Sequence, residues 1–198
     1  MNKNRPKYKQ IIDAAVEVIA ENGYHSSQVS KIAKKAGVAD GTIYLYFKNK
    51  EDILVSLFQE KMGQFIEKIE EDIKTKSNAK EKLLAMINTH YGLLSQDHHL
   101  AIVTQLELRQ SNKDLRLKIN DVLKRYLLVI DHIVEEGKTE GLFHDSLDLR
   151  LVRQMVFGTL DETVTNWVMN DQKYSLTEQA EEVHELLIHG LTIHAKQD

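Results

Sequence analysis

The sequence predicts an all-α protein, and three observations support that prediction. Apolar residues recur at three- and four-residue spacing along almost the whole chain, and no stretch shows the alternation typical of a strand. With one proline and no low-complexity stretch or repeat, the chain offers no flexible linker. A composition of 42% hydrophobic and 28% charged residues is that of a soluble globular protein. We therefore expect about nine helices.

The first four helices are short or strongly patterned. The first begins near Pro6 and stops at Asn22-Gly23, and the second ends at Gly37. Asp40 can cap a third helix that runs to about Phe47. Asn49 can cap a long fourth helix, whose apolar stripe contains Leu54, Leu57, Phe58, Met62, Phe65, Ile66, Ile69 and Ile73.

Polar breaks divide the rest of the chain into five further helices. They are expected at about 79–95, 99–110, 113–140, 148–170 and 177–195. The long fourth helix is expected to join two parts rigidly: a DNA-binding domain at 1–50 and a body at 51–198.

The content of the chain excludes several classes of protein. There is no cysteine, and therefore no disulfide, thiolate metal site or cysteine nucleophile. No stretch approaches the roughly 18 apolar residues that span a membrane, and no hydrophobic signal segment opens the chain. We expect a cytoplasmic protein without a membrane partner.

Charge is unevenly distributed along the chain. Residues 1–50 hold nine Lys or Arg against four Asp or Glu, a net charge of +5, whereas the remainder carries a net charge of -9. This asymmetry predicts that the amino-terminal quarter meets a polyanion, although a solvated face would look the same.

The segment "GVADGTIYLYFKNKEDIL", residues 37–54, fits a helix-turn-helix with its tight turn at Gly37 to Asp40. Gly41 has no side chain, so a phosphate can approach the backbone at the start of the third helix. The free N–H groups and partial positive charge of a helix amino terminus favour such a phosphate. Ile43 and Phe47 can face the small core, while Lys48 and Lys50 flank the helix end. The alternative is that Tyr44 and Tyr46 are core aromatics.

The stretch "SKIAKKAGVADGTIYLYFKNKEDIL" resembles the DNA-binding signature of TetR-type transcriptional regulators. The resemblance covers about residues 8–57 and implies a dimeric repressor of palindromic double-stranded operator DNA. It implies that Thr42 and Tyr44 contact bases or phosphates and that Tyr46 and Lys50 hold phosphates. Gln28 departs from the usual capping Thr or Ser, a role that Ser26 or Ser27 can take over. The expected DNA-binding residues are Ser27, Gln28, Lys31, Asp40, Gly41, Thr42, Tyr44, Tyr46 and Lys50.

A regulator of this kind needs a dimer face as well as a ligand cavity. The stripes of the eighth and ninth helices suit a four-helix bundle with two helices from each subunit, although a single-chain core is the alternative. The expected interface residues are Val156, Leu160, Val164, Trp167, His184, Leu187 and Leu191.

The stretch "LAIVTQLELRQ", residues 100–110, is apolar nearly all round and predicts a buried helix, with Gln105 and Arg109 on one face. A buried or half-buried Arg109 needs an anionic partner. That partner could be an internal carboxylate such as Asp161, or a phosphate or carboxylate of a ligand.

The body resembles one branch of these regulators, the repressors of fatty-acid degradation in bacilli, in "LAIVTQLELRQSN" and "RQMVFGTLDETVTNWVMNDQKY". The resemblance implies a long-chain acyl-CoA effector and no cofactor. A sensor of another apolar effector, such as a drug, and a carrier of acyl-CoA that binds no DNA are the alternatives. The expected ligand-binding residues are Met62, Phe65, Ile69, Tyr91, Leu94, Val103, Gln105, Leu106, Arg109, Tyr126 and Phe157, each of which could instead be core.

Nine histidines give no convincing enzyme or metal site. The histidines of "HELLIH", residues 184–189, are five apart rather than the four of zinc proteases, and therefore diverge on a helix. His98 and His99 with His90 are interpreted as a solvated helix connection. No catalytic residue and no metal site are expected.

Overall fold

The computed structural model describes residues 6–192, which form nine α-helices and no β-strand. The all-α prediction is confirmed for this range. The helices are α1 (Pro6–Asn22), α2 (Val29–Lys35), α3 (Asp40–Ile43), α4 (Lys50–Lys74), α5 (Ala79–Gln96), α6 (His98–Glu107), α7 (Lys113–Thr139), α8 (Leu149–Met169) and α9 (Ala180–Leu191).

Five helices begin at an Asn or Asp cap that is visible in the sequence. In each case the Oδ1 atom accepts the backbone N–H three residues later, at 2.8 to 3.0 Å. These bonds satisfy amides that have no partner inside the helix. The caps are Asn49, Asn78, Asp97, Asn112 and Asp148. The predicted cap of α4 by Asn49 is confirmed.

Several helix boundaries differ from the predictions. Asp40 is the first residue of α3, not its cap, and α3 ends at Ile43 because the chain tightens into turns up to Phe47. A short 3-10 helix, Thr177–Gln179, precedes α9. The predicted end of the ninth helix near 195 lies outside the described residues.

The chain divides into two compact units. The first contains the residues up to Gly63 together with Asp97–Val122. Within it, α1 packs against α2 and α6, and α2 packs against α3. Ile11, Ile32 and Phe47 are among its fully buried side chains. This unit therefore contains the whole helix-turn-helix segment and α6.

The second unit contains Gln64–Gln96 and the chain from Leu123 onward. Here α5 packs against α8, α9 and the 3-10 helix. Phe143 is fully buried, and its ring lies against Gly137, where a Cβ atom would come within 2.2 Å of the ring. Only glycine therefore fits at this point of α7.

The two compact units are defined by packing, whereas the expected domains at 1–50 and 51–198 were defined by function. That functional division stays a prediction. Among residues 6–192, no helix is both long and apolar enough to cross a membrane.

Candidate DNA interface and effector-binding site

The second and third helices form the expected helix-turn-helix. Gly37 ends α2 with φ at +65°, a left-handed conformation that favours glycine. The Val38 N–H then returns to the Ala33 carbonyl at 3.0 Å. Ile43 and Phe47 are buried, and the Tyr8 ring stacks on Phe47 with a centroid distance of 5.2 Å. These contacts fix one side of α3 and leave its other side in solvent.

Most of the predicted DNA-binding residues are exposed or half-buried. Tyr44 is 57% exposed, which favours a surface role over a core role. Tyr46 is half-buried, and its ring lies 6.5 Å from Tyr8. The exposed members of the set are Gln28, Lys31, Asp40, Gly41 and Tyr44, and the half-buried members are Thr42, Tyr46 and Lys50. Their contacts with DNA stay predictions.

Ser27 does not fit the predicted surface. Its side chain is buried, and its hydroxyl group lies 2.8 Å from the Gly23 carbonyl and 3.1 Å from the Val18 carbonyl. It does not cap α2, because the N-cap position is held by Gln28, which makes no side-chain cap hydrogen bond. Ser27 therefore closes the end of α1, which corrects its assignment as a DNA contact.

Lys50 is held by the protein itself. Its Nζ donates to the carbonyls of Tyr24 and His25, at 3.0 and 2.9 Å, and lies 4.6 Å from the centroid of the Tyr24 ring. An ammonium group has three donors, so two are already used. Lys50 therefore links the start of α4 to the turn after α1. One N–H donor remains for the predicted phosphate contact.

The second unit contains an aromatic cluster in which Phe65, His90, Tyr91 and Tyr126 are buried and Phe157 is half-buried. The His90 ring lies edge-on to Phe65 and Tyr91, at centroid distances of 5.1 and 5.7 Å. The Tyr126 ring lies 5.6 Å from His90 and 5.8 Å from Phe157. Four of these five residues were predicted to bind the ligand, and the fold brings them together.

His90 is the residue that the sequence interpretation missed. It was assigned to a solvated connection with His98 and His99, but it is buried, and its Nδ1 lies 2.7 Å from the Tyr126 hydroxyl oxygen. Burial lowers the pKa of His90 from 6.5 to about 3, so the ring is neutral near pH 7. Its position in the buried stripe of α5, between Ile87 and Leu94, was the available signal.

Two polar atoms of the cluster have no hydrogen-bond partner among the described residues: His90 Nε2 and the Tyr91 hydroxyl oxygen. Burial raises the pKa of Tyr91, and the nearby Thr163 hydroxyl opposes this shift. Thr163 itself donates to the Thr159 carbonyl at 2.8 Å. Burial also raises the pKa of Tyr126 well above 10. The cluster is therefore uncharged at neutral pH, and two of its polar atoms make no hydrogen bond among the described residues.

The other predicted ligand-binding residues are divided between the units. Ile69 and Leu94 are buried in the second unit, and Val103 and Gln105 are buried in the first. Met62, also in the first unit, is half-buried.

Arg109 and Leu106 contradict the expected buried helix over 99–110. The regular helix ends at Glu107, so Arg109 lies beyond α6, where its side chain is exposed, and Leu106 is 51% exposed. The reason is that α6 uses only part of its apolar circumference for packing.

Among the pockets on the described part of the second unit are two that contain no predicted ligand-binding residue. One, of about 350 Å³, is lined by Asp72, Thr75, Lys76, Glu81, Leu84, Ala85, Asn88 and Thr89. The other, of about 290 Å³, is lined by Glu70, Ile73, Lys74, Lys82, Val129, His132, Ile133 and Glu136. Within residues 6–192, no group of three or more His, Asp or Glu side chains is placed to hold a metal ion.

The seven predicted dimer residues are all buried within a single chain. Val156, Leu160, Val164, Trp167, His184, Leu187 and Leu191 expose between 0% and 8% of their surface. His184 Nε2, for example, lies 3.0 Å from the Lys80 carbonyl oxygen. Side chains buried in this way leave little area for a partner, which argues against their assignment to an intersubunit face.

Comparison with known proteins places this fold in a family. Residues 11–57 match the family model described as "Bacterial regulatory proteins, tetR family". Residues 58–190 match the model described as "YsiA-like protein, C-terminal region". The chain belongs to the TetR family. The TetR signature inferred from the helix-turn-helix segment is thereby confirmed.

One TetR-family relative is the fatty acid metabolism regulator protein of Bacillus subtilis strain 168. It is 69% identical over 191 residues, which cover 96% of this chain and 98% of the relative. A second relative, the HTH-type transcriptional regulator YdgC of the same organism, which is described as uncharacterized, is 30% identical over 92% of this chain and 91% of its own. The relatives are thus named as regulators.

Two solved structures are similar to this chain over more than nine-tenths of its length. The transcriptional regulator FadR of Bacillus subtilis, in complex with stearoyl-CoA, superimposes with a TM-score of 0.90 at 70% identity, covering 94% of this chain and 100% of that one. The fatty acid degradation regulator FadR of Bacillus halodurans has a TM-score of 0.90 at 64% identity, covering 93% and 99%. The predicted likeness to this branch is confirmed.

Proposed function

We propose that this chain is a cytoplasmic transcriptional repressor that controls genes of fatty-acid degradation. It binds palindromic double-stranded operator DNA as a homodimer, and a long-chain acyl-CoA releases it. The observation that carries the proposal is the 69% identity, over 96% of the chain, to a fatty acid metabolism regulator. A FadR at 70% identity has been solved with stearoyl-CoA bound.

The DNA-binding half of the proposal is supported by the surface of the helix-turn-helix. Gln28 and Lys31 are exposed at the start of α2, and Tyr44 is exposed after α3. Gly41 leaves open space where a side chain would be, which suits close approach of a phosphate. The net charge of +5 over residues 1–50 favours the same partner.

The effector half of the proposal is supported by the aromatic cluster. Its rings offer apolar surface to an acyl chain, and burial keeps His90 neutral at physiological pH. Each buried methylene contributes about 0.8 kcal/mol, so a long acyl chain gains up to about 10 kcal/mol before the costs of binding. Affinity should therefore rise with chain length.

The dimer is expected to use the outer faces of α8 and α9. Leu151 and Met155 on α8, and Leu186 on α9, are 56%, 48% and 69% exposed in the single chain. Apolar residues that remain in solvent on two neighbouring helices suit an intersubunit four-helix bundle.

Calorimetric titration with acyl-CoA thioesters tests the effector. Stearoyl-CoA, octanoyl-CoA, coenzyme A and stearate should be compared under one buffer. We expect affinity to climb from octanoyl-CoA to stearoyl-CoA, with weak binding of coenzyme A and of stearate. If no thioester binds, the acyl-CoA assignment is wrong, and a TetR-type sensor of another apolar effector becomes the leading account.

Salt-dependent DNA binding tests the interface with a matched pair of lysines. Lys31 is exposed in the proposed interface, and Lys173 is exposed in the second unit. Lys31→Ala should weaken binding to a duplex selected by the wild type and lower the salt slope by about one, whereas Lys173→Ala should change neither. Equal effects of the two substitutions would contradict the proposed surface.

A further inference from the structure

The turn between α1 and α2, residues 23–28, is held by two charged side chains that are distant in sequence, Lys50 and Glu107. Gly23 follows the last residue of α1 and has φ at +73°, so the Tyr24 amide does not continue the hydrogen bonds of the helix. That amide donates to Glu107 Oε1 at 2.8 Å. On the other side, Lys50 donates to the Tyr24 and His25 carbonyls. Hydrogen bonds to charged groups are the stronger kind, so the turn is fixed at both ends of Tyr24.

Glu107 occupies an electrostatically unfavourable place. It is the last residue of α6, and a helix carboxyl terminus repels a negative charge. The side chain is nevertheless fixed on both oxygens, because Oε2 accepts from Gln110 Nε2 at 2.6 Å. The Gln110 carbonyl in turn accepts from Arg116 at 2.9 Å. A chain of bonds therefore runs from the start of α7 through Glu107 to the helix-turn-helix, all within the first compact unit.

The same helix carries predicted effector residues immediately before Glu107. Val103 and Gln105 are buried in α6, where they lie about one turn and about half a turn before its last residue, Glu107. A helix moves largely as a rigid rod, because its backbone bonds are all internal. Any shift or rotation of α6 therefore moves the carboxylate that holds Tyr24.

We infer that Glu107 is a positioning residue that couples α6 to the operator-binding surface. By holding the Tyr24 amide, it sets where α2 begins, and with it the place of Gln28 and Lys31. The expected effects on DNA binding and on the effector response rest on the proposed function. The expected effect on the turn rests on the Tyr24–Glu107 hydrogen bond alone.

The experiment compares the wild type with Glu107→Ala, Glu107→Gln and the control Glu71→Ala, an exposed glutamate of α4 in the second unit. Three quantities are measured: the exchange rate of the Tyr24 amide by NMR, the dissociation constant for a duplex that the wild type selects from a random-sequence library, and the factor by which saturating stearoyl-CoA raises that constant. Stearoyl-CoA affinity and the thermal midpoint are recorded for each variant. These readouts separate positioning from a general loss of stability.

Glu107→Ala should speed Tyr24 exchange by about tenfold or more, weaken duplex binding by about tenfold, and reduce the response to stearoyl-CoA. Glu107→Gln keeps an acceptor oxygen for Tyr24 but loses the charge and the second acceptor that Gln110 uses, so it should lie between the wild type and Glu107→Ala. Glu71→Ala should lie close to the wild type. A Glu107→Ala protein with unchanged exchange overturns the inference, and so does one with faster exchange but an unchanged response. If the wild type selects no duplex, the DNA-binding proposal fails separately, and the exchange rates still decide whether Glu107 holds the turn.

Discussion

Replacing His90 should remove a large part of the acid sensitivity of this protein. The buried imidazole has its pKa lowered from 6.5 to about 3, so the unfolded chain binds a proton at pH 5 that the folded chain does not. Stability due to neutral His90 is therefore complete above pH 6.5 and is lost as pH falls toward 3. A pKa difference of one unit corresponds to 1.36 kcal/mol, which gives a loss of about 2 kcal/mol between pH 7 and pH 5.

The assay is urea unfolding at pH 7 and pH 5, at one protein concentration because a dimer's stability depends on it. His90→Gln should shrink the difference between the two free energies of unfolding by about 2 kcal/mol, whatever it does to stability at pH 7. His144→Gln is the matched control, because His144 is exposed in the same unit. If His90→Gln and His144→Gln show the same pH dependence as the wild type, then His90 is not buried in its neutral form.

Two further pairs of substitutions test the packing of the second unit by urea unfolding. Gly137→Ala places a Cβ atom within 2.2 Å of the buried Phe143 ring and should cost about 1–3 kcal/mol, whereas Gly92→Ala meets open space in α5 and should gain up to about 1 kcal/mol. Equal effects would show that the ring does not occupy that space. Tyr91→Phe removes a buried hydroxyl without a described partner and should be neutral or stabilising, whereas Tyr126→Phe removes a bonded hydroxyl and should cost about 1–3 kcal/mol. The reverse order would contradict the described hydrogen bonding.

The sequence predicted the helices well because their signals are local. Asn49 and Asp148 cap their helices through bonds to residues three positions away, and Gly37 ends α2 through its own φ. Signals of this kind need no knowledge of the rest of the fold. The helix-turn-helix, including buried Ile43 and exposed Tyr44, could be predicted for the same reason.

The sequence interpretation failed where a residue's role depends on distant neighbours. Ser27 resembles a cap but is buried against α1, and Arg109 was expected to be buried or half-buried but lies exposed beyond α6. The apolar stripes of α8 and α9 predicted contact surfaces correctly, yet Leu160 and Leu187 pack within their own chain. An apolar stripe shows that a face is covered, but it does not identify what covers it.

The sequence by itself determined the all-α class, the helix-turn-helix with its charge, and the family, because capping, periodicity and short motifs are written in consecutive residues. Only the tertiary structure decided that His90 joins Phe65, Tyr126 and Phe157 in one aromatic cluster, and that Glu107 holds Tyr24 across 83 positions of sequence. Such contacts arise from the packing of whole helices. Packing depends on the shape and burial of every neighbour, which no local pattern specifies.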